Sequence, residues 1–178
     1  KSLETFDKKF NKCEISWITQ STPMGFGHAL LSAKKFVGNE AFLLYAGDAF
    51  FLKPNFLSDF IHNYQRSKDV VCSVLLERRK SLEGFGIAQV KKKNNENVIF
   101  NIEEKPKKPK SNLAILPVYV FKPNIFDALK NTNHGYNKEL QVTDAIETLI
   151  HNNNKVTAFK MRDKWFDIGT PQRYMSAL

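Results

Sequence analysis

The stretch Ala41-Phe-Leu-Leu-Tyr-Ala-Gly-Asp48 decides the fold that the sequence predicts. Its apolar residues occupy both alternating sets of positions, which is typical of a central strand covered on both faces in a layered α/β sheet. Gly47 suits a point where a backbone or a ligand comes close. The run ends in the carboxylate of Asp48, at the strand end where ligands bind in open α/β sheets. Aspartate is also common between a strand and a helix, so this stretch alone leaves the role of Asp48 open.

The first part of the chain alternates predicted strands and helices. Continuous or alternating apolar runs predict strands, and apolar residues at helical spacing predict helices. The predicted order is strand 14–18, helix 28–38, strand 41–48, helix 55–66 and strand 69–76. This alternation indicates a parallel sheet with helical crossovers.

The pattern changes after Glu77. Three predicted strands, 86–90, 98–104 and 113–121, are joined by turns rich in Asn, Lys and Pro. The first two leave no room for a helix between them, which favours antiparallel or mixed additions to the sheet. Two helices, 125–129 and 143–151, a strand at 155–161 and a helix beginning at Pro171 follow. We therefore expect one α/β domain over residues 1–178.

Composition narrows the class of protein. The chain has 178 residues, 42% hydrophobic and 25% charged, which is typical of a globular protein. No apolar run approaches the ~20 residues that span a bilayer, and no signal-peptide pattern is present, so we expect no membrane partner. Cys13 and Cys72 have no paired spacing, which favours a reducing cytoplasm and argues against a disulfide framework or a zinc site.

The net charge of +9 fits nucleic acid, an acidic surface or phosphorylated small molecules as partners. Much of the excess lies in two lysine clusters, residues 91–93 and 105–110, which we interpret chiefly as solvated turns. No nucleic-acid motif or interleaved aromatic pattern accompanies them, so we expect no nucleic-acid partner.

The loop from Gln20 to Gly27 is a candidate binding element. Its two glycines precede a helix, where backbone N–H groups can approach an anion or a base edge. The Gln20 amide can donate and accept hydrogen bonds at once, which matches the N3/O4 edge of a pyrimidine. An ordinary turn is the alternative.

Glu104 and Lys105 form a second candidate. Glu104 shares its side of a predicted strand with Val98, Phe100 and Ile102, so its carboxylate continues a core-facing row. Such a carboxylate is costly unless it is paired or lines a cleft. It could accept hydrogen bonds from sugar hydroxyls, and Lys105 offers a cation for a phosphate. A surface ion pair before a turn is the alternative.

Asp167 ends another predicted half-buried strand face, shared with Phe159, Met161 and Trp165. Two aspartates at strand ends, Asp48 and Asp167, could together hold a hard divalent cation. Mg²⁺ fits best, because it needs few carboxylates and takes its other ligands from phosphates and water. Two unrelated surface aspartates are the alternative.

Taken together, these motifs resemble the sugar-1-phosphate nucleotidylyltransferases, in particular the glucose-1-phosphate uridylyl- and thymidylyltransferases. The order and spacing of several short segments carry the resemblance over nearly the whole chain: residues 20–29, 44–48, 84–87, 102–106, 111–114, 118–121, 139–146 and 165–170.

The resemblance implies a Rossmann-like three-layer mixed sheet of the nucleotide-diphospho-sugar transferase type. It implies that Asp48 and Asp167 bind catalytic Mg²⁺ and that Lys105 binds the sugar phosphate. The remaining implied roles are pyrimidine recognition and sugar binding, the former by Gln20 and Gly25, the latter by Gly86, Glu104, Lys105 and Asn112.

The reaction that the resemblance implies is nucleotidyl transfer from UTP or dTTP to glucose-1-phosphate or a close sugar-1-phosphate. An oxygen of the sugar phosphate attacks the α-phosphorus in line and pyrophosphate leaves, with no protein nucleophile. Alignment and charge neutralisation supply the catalysis. A cytoplasmic location fits, and a homo-oligomer stays open.

One departure from the family pattern is large. The sequence contains no Gly-rich, Arg-containing phosphate loop, and Gln20 already corresponds to a position well inside the family domain. We therefore expect an N-terminally truncated domain that lacks the first strand-loop-helix section and has little or no turnover by itself. The alternative is a catalytically inactive relative that binds a sugar nucleotide or serves as a partner subunit.

Overall fold

The computed structural model describes residues 12–53 and 55–178, and a mixed sheet lies at its centre. Six strands lie in the spatial order β1-β6-β3-β7-β5-β4, and a separate small sheet pairs β2 with β8. The strands are β1 (Phe42–Tyr45), β2 (Ala49–Phe51), β3 (Val70–Arg78), β4 (Ile87–Lys93), β5 (Glu96–Glu103), β6 (Leu113–Phe121), β7 (Lys155–Met161) and β8 (Trp165–Asp167).

Helices cover both faces of the large sheet. They are α1 (Phe26–Ser32), α2 (Lys34–Val37), α3 (Phe56–Arg66), α4 (Asn124–Lys130), α5 (Val142–His151) and α6 (Pro171–Ala177), with a 3₁₀ turn at Tyr136–Lys138. Hydrophobic residues of α1, α4 and α5 pack on one face, and Phe56 and Phe60 of α3 pack on the other. The fold is therefore the expected three-layer α/β arrangement.

The continuous apolar runs of β3 and β6 follow from this layering. In β3, Val74 and Leu76 belong to the core under α4 and α5, while Leu75 between them belongs to the core under α3. Tyr119 and Val120 of β6 divide in the same way. Successive side chains point to opposite faces, so a strand covered on both sides must be apolar at every position.

The strand directions correct one expectation. We expected the strands at 41–48 and 69–76 to belong to a parallel sheet built by crossovers. Both β1 and β3 instead pair antiparallel with β6, which lies between them. They run in the same direction, as the helical crossover requires, but they are not neighbours. The parallel pair is β3 with β7, and β4 and β5 form the expected antiparallel hairpin.

The position of β1 is a second correction. The stretch 41–48 was expected to be a central strand, but β1 lies at one edge of the six-stranded sheet in the part of the chain that the structure describes. Phe42 and Leu44 pack against the core, whereas Leu43 is 40% and Tyr45 37% exposed. A strand that is apolar at every position can thus have one face exposed, and the sequence pattern of β1 could not reveal this.

The strand expected at 14–18 is not formed. These residues carry no strand pairing in the described chain, and Trp17 is 90% exposed. A short alternation of polar and apolar residues becomes a strand only where a neighbouring edge accepts its backbone hydrogen bonds.

Among the residues that can be described, no helix has the length and apolarity needed to cross a membrane.

We expect Phe60→Ala to lower the free energy of unfolding by about 3–5 kcal/mol, because removal of a fully buried ring would leave a cavity in the core. Phe60 is 0% exposed and its ring centroid lies 5.5 Å from that of Phe159. Urea denaturation measures the change. The matched control is Phe36→Ala, since Phe36 is 66% exposed, and its effect should stay within ~0.5 kcal/mol. Equal losses in the two variants would contradict the assigned core.

Candidate functional site

A cavity of about 350 Å³ opens where the small sheet meets the large one. Four residues singled out from the sequence line it: Asp48, Gly86, Glu104 and Asp167. Three of the four carry carboxylates, and they come from separate parts of the chain. The structure thus brings together residues that the sequence could only nominate one by one.

The pairing of β2 with β8 brings the two aspartates together. Ala49 lies opposite Asp167 in this pair, and the N–H of Ile168 donates to the carbonyl of Asp48 over 2.8 Å. A Cβ atom placed on Gly169 would lie 2.7 Å from Asp48 Oδ2 and 3.2 Å from Asp167 Oδ1. Both carboxylates therefore lie beside the space that a side chain at position 169 would occupy.

The donor set of this pair fits Mg²⁺. Asp167 Oδ1 accepts from the N–H of Gly169 at 3.0 Å, and Oδ2 accepts from the Arg173 guanidinium. Each carboxylate oxygen has a second lone pair left for a cation. The described residues contain no cluster of three or more His, Cys, Asp or Glu suited to a metal. A cation bound by two carboxylates would complete its shell with water and phosphate oxygens, which is the usual arrangement for Mg²⁺.

Glu104 also lines the cavity, and its side chain is only 12% exposed. The Thr143 hydroxyl donates to Glu104 Oε2 over 2.7 Å, and Lys105 Nζ lies 3.4 Å from Oε1. These two partners offset the cost of burying the carboxylate. The core-facing row predicted for this strand is wrong in part, because Phe100 is 44% exposed whereas Ile99 and Ile102 are buried. Glu104, just after the strand, is nevertheless a paired carboxylate that lines the cavity.

Gly86 leaves room beside Glu104. A Cβ atom at this position would lie 3.1 Å from Glu104 Oε2 and 3.0 Å from Thr143 Cγ2. The missing side chain therefore allows the backbone just before β4 to form part of the cavity wall. A ligand in the cavity could approach that backbone closely.

Lys105 is adjacent to the cavity and does not line it. Its φ is +40°, an uncommon conformation for a residue with a side chain. Its Nζ atom lies 4.5 Å from the Tyr136 ring centroid as well as beside Glu104. The ammonium is held at the mouth of the site by one carboxylate and one aromatic face.

Two cavity-lining features were not predicted from the sequence. Val142 and Thr143 open helix α5 at the cavity, and no side chain caps this helix start. Its first N–H groups and the positive end of its dipole suit an anionic ligand.

Tyr119 also lines the cavity, and burial, with a further contribution from Glu104, raises the pKa of its phenol. It therefore remains a protonated hydrogen-bond donor. Threonine at a helix start and tyrosine in an apolar strand are too ordinary to stand out in a sequence.

The glycine loop packs beside the cavity. Gly25 has φ +101° and Gly27 donates its N–H to the carbonyl of Leu140 over 2.9 Å. Phe26, between them, lines the cavity. The Gln20 amide nitrogen donates to the Gly25 carbonyl at 3.2 Å and contacts His28 Nδ1 at 2.8 Å. Gln20 and Gly25 are therefore in contact with each other, but neither lines the cavity.

Asn112 lies apart from these residues. It is exposed, it does not line the cavity, and its carbonyl accepts from the N–H of Arg79 over 3.0 Å. The Asn112 backbone therefore extends the pairing of β3 with β6 by one hydrogen bond.

A three-layer mixed α/β sheet with a carboxylate-lined cavity is what the resemblance to the sugar-1-phosphate nucleotidylyltransferases implies. The chain belongs to the Nucleotidyl transferase family, whose sequence profile matches residues 2–178. This confirms the family and the fold class that the motifs indicated.

Individual relatives support the same assignment. The chain is 35% identical to the UTP–glucose-1-phosphate uridylyltransferase of Mycoplasma genitalium, over 94% of this chain and 59% of that protein. It is 31% identical to the glucose-1-phosphate thymidylyltransferase of Streptomyces antibioticus, over 88% of this chain and 42% of that protein. A crystal structure of UDP-glucose pyrophosphorylase complexed with UDP-glucose matches with a TM-score of 0.89 and 27% identity, over 99% of this chain and 69% of that one. The chain thus spans about half the length of the curated relatives it matches.

We expect Gly25→Ala to destabilise the protein by at least about 2 kcal/mol. A residue with a side chain is strained at the positive φ of Gly25, and the new methyl group would collide with residues 139–140. A Cβ there would lie 2.8 Å from Glu139 Cβ and 2.9 Å from the Leu140 carbonyl oxygen. Thermal unfolding measures the loss. Gly47→Ala is the control, since nothing lies within 4 Å of a Cβ at Gly47. Similar melting temperatures for the two variants would refute the packing of this loop on residues 139–140.

Proposed function

We propose that this chain binds a nucleotide sugar in the cavity and takes part in nucleotidyl transfer from UTP or dTTP to glucose-1-phosphate or a close sugar-1-phosphate. The products are the nucleotide sugar and pyrophosphate. One observation carries the proposal: the Asp48–Asp167 pair, Gly86 and Glu104 open on the same space. A cation for phosphates and an acceptor for sugar hydroxyls would thus both face one ligand.

The sugar half of the ligand would lie at Glu104 and Gly86. From the described residues Glu104 accepts one hydroxyl hydrogen bond and contacts one ammonium group, so its remaining lone pairs can accept from sugar hydroxyls. The Gly86 backbone gives close access, and Lys105 supplies positive charge to the sugar phosphate. We include Asn112 in the sugar subsite as the family pattern implies, with a role that requires its side chain to reach the ligand from outside the cavity.

The nucleotide half would lie toward the glycine loop. Gln20 and Gly25 are proposed to bind the edge of uracil or thymine, through the side-chain amide and the loop backbone. The amide would exchange its present bond with the Gly25 carbonyl for the base, whose N3/O4 edge offers the complementary pair of groups. Relatives named for UTP and for thymidylyl transfer both match the chain, so either base is included in the proposal.

Asp48 and Asp167 would hold Mg²⁺ in the complete site. When bound, the ion would neutralise charge on the phosphates and orient them. In the reaction an oxygen of the sugar phosphate forms a bond to the α-phosphorus, the bond from that phosphorus to the β-phosphate oxygen breaks, and pyrophosphate leaves with the electron pair. The protein positions both substrates and provides cations, and none of its side chains forms a covalent bond.

Isothermal titration with UDP-glucose and dTDP-glucose, with and without Mg²⁺, tests the proposal. We expect the 178-residue chain to bind at least one of them in Mg²⁺, and to release little or no pyrophosphate from UTP or dTTP with glucose-1-phosphate. Absence of binding to both would contradict the proposal, and rapid turnover would contradict the need for a separate phosphate loop. A longer chain that carries such a loop should turn over if the protein is an active enzyme and should only bind if it is an inactive relative.

We expect Asp48→Asn to abolish the effect of Mg²⁺ on nucleotide-sugar affinity, because an amide oxygen lacks the charge that Mg²⁺ needs from its few protein ligands. Titration of the ligand over a range of Mg²⁺ concentrations measures this. Asp59→Asn, on the exposed surface of α3, is the control and should respond to Mg²⁺ as the unaltered protein does. An intact Mg²⁺ response in Asp48→Asn would remove the carboxylate pair from the proposal.

We expect Thr143→Val to weaken nucleotide-sugar binding by about 10-fold, because Glu104 would lose a charge-assisted hydrogen bond and its orientation. The matched control is Thr157→Val, which removes the hydroxyl bond to Ser73 in the buried sheet, away from the cavity lining. That control should lose stability and keep its affinity. If both variants bind equally well, Thr143 does not orient Glu104.

A further inference from the structure

Strand β8 carries a proposed metal ligand on a short element. It has three residues and pairs with the three residues of β2, in a sheet separate from the six-stranded one. Two strands of this length do not form a stable sheet in water by themselves. The position of Asp167 therefore depends on side-chain contacts that fix β8 to the rest of the molecule.

Trp165 makes the principal contacts of this kind. Its ring stacks on Phe51, the residue opposite it in β2, with centroids 5.7 Å apart and planes at 23°. Its indole Nε1–H donates to Glu77 Oε2 over 2.9 Å. Glu77 belongs to β3 in the large sheet, so this hydrogen bond joins the two sheets directly.

Arg79 holds the same carboxylate from the other side. Its guanidinium donates to Glu77 Oε2 at 2.9 Å. The guanidinium carbon lies 4.7 Å from the Phe85 ring centroid and 5.8 Å from that of Trp165. The backbone N–H of Arg79 is itself fixed by the carbonyl of Asn112. One carboxylate and one guanidinium thus hold two aromatic rings that line the cavity, although neither charged group lines it.

We infer that Glu77 is a positioning residue of the site: through the indole of Trp165 it fixes the cavity wall and β8, and with β8 the carboxylate of Asp167. Arg79 assists by orienting Glu77 and by packing on Phe85. The inference rests on the proposed function for its ligand, a nucleotide sugar. The hydrogen bond itself can be observed without that ligand.

Tryptophan fluorescence reports on this contact. The chain has two tryptophans, and Trp17 is 90% exposed. In a Trp17→Phe background the emission comes from Trp165 alone. We expect Glu77→Leu, which has no acceptor, to shift this emission to longer wavelength as the indole loosens toward solvent. Glu77→Gln keeps an acceptor oxygen and should retain most of the original spectrum.

The binding arm uses UDP-glucose with Mg²⁺ in the same background. We expect Glu77→Leu to raise the dissociation constant about 10-fold, as is usual when a residue behind a metal or ligand site is removed. Glu77→Gln should restore the affinity to within about threefold. The control is Glu96→Leu, which breaks another ion pair, with Lys155, at a carboxylate side chain of similar exposure (27% against 24%). It should change neither the spectrum nor the affinity.

A Trp165→Phe background shows whether the effect passes through the indole. There Glu77→Leu should change the affinity less than twofold, because the hydrogen bond is already gone. An undiminished 10-fold effect in that background would overturn the inference, and so would an unchanged spectrum and affinity in the Trp165 protein. If Glu77→Leu does not fold, Trp165→Phe takes its place, because it keeps a ring on Phe51 but removes the N–H that donates to Glu77. A dissociation constant about 10-fold higher supports the inference, and an affinity equal to that of Glu96→Leu overturns it.

The two proposals fail in different ways. If the parent protein does not bind UDP-glucose, the proposed function fails, and the emission shift of Glu77→Leu alone then decides the positioning role. If the parent binds and the shift is absent, the positioning role fails while the proposed function stands.

Discussion

The pairing of β2 with β8 is the constraint on which the candidate site depends. The residues involved are more than a hundred positions apart in the sequence, and their register sets Ala49 opposite Asp167. Because side chains alternate across a strand, a slip of one residue would turn the Asp167 carboxylate to the other face. The stack of Trp165 on Phe51 fixes that register with large apolar surfaces, and Phe51 in turn contacts Phe56 of α3 at 4.7 Å. The geometry of a polar pair is thus determined by an aromatic cluster beside it.

Strand β6 contributes several residues to the cavity lining. Ile115, Pro117 and Tyr119 occupy alternate positions and all line the cavity. The Pro117 carbonyl accepts from the N–H of Ala46, which joins the end of β1 to β6 just before Asp48. A proline has no N–H to donate, so at this position β6 offers only its carbonyl. The first turn of helix α5 also lines the cavity, and its Thr143 hydroxyl donates to Glu104 there.

Four of the residues proposed from the sequence, Asp48, Gly86, Glu104 and Asp167, line the cavity, whereas their neighbours there were not predicted. Asp48, Glu104 and Asp167 could be found because each places a charge at the end of an otherwise apolar strand face, which is rare without a reason. Thr143 and Tyr119 carry no such signal, since each fits an ordinary helix start or buried strand. The edge position of β1 was missed for a related reason. An apolar pattern shows which side chains tolerate burial, whereas the strand that lies beside them is fixed by long-range pairing with β6.

The charges around the cavity bear on the proposed function, in which the ligand would arrive with a cation. Among the residues that the structure describes, Asp48, Glu104 and Asp167 are the charged ones that line the cavity, while Lys105 does not line it and Arg173 is paired with Asp167. Three carboxylates around one cavity repel a bare phosphate. In the proposed function two of these carboxylates would share a divalent cation, and the third would accept hydrogen bonds from sugar hydroxyls. A nucleotide sugar has phosphates for the cation and hydroxyls for Glu104, so it would fit the proposed site better than a free anion would.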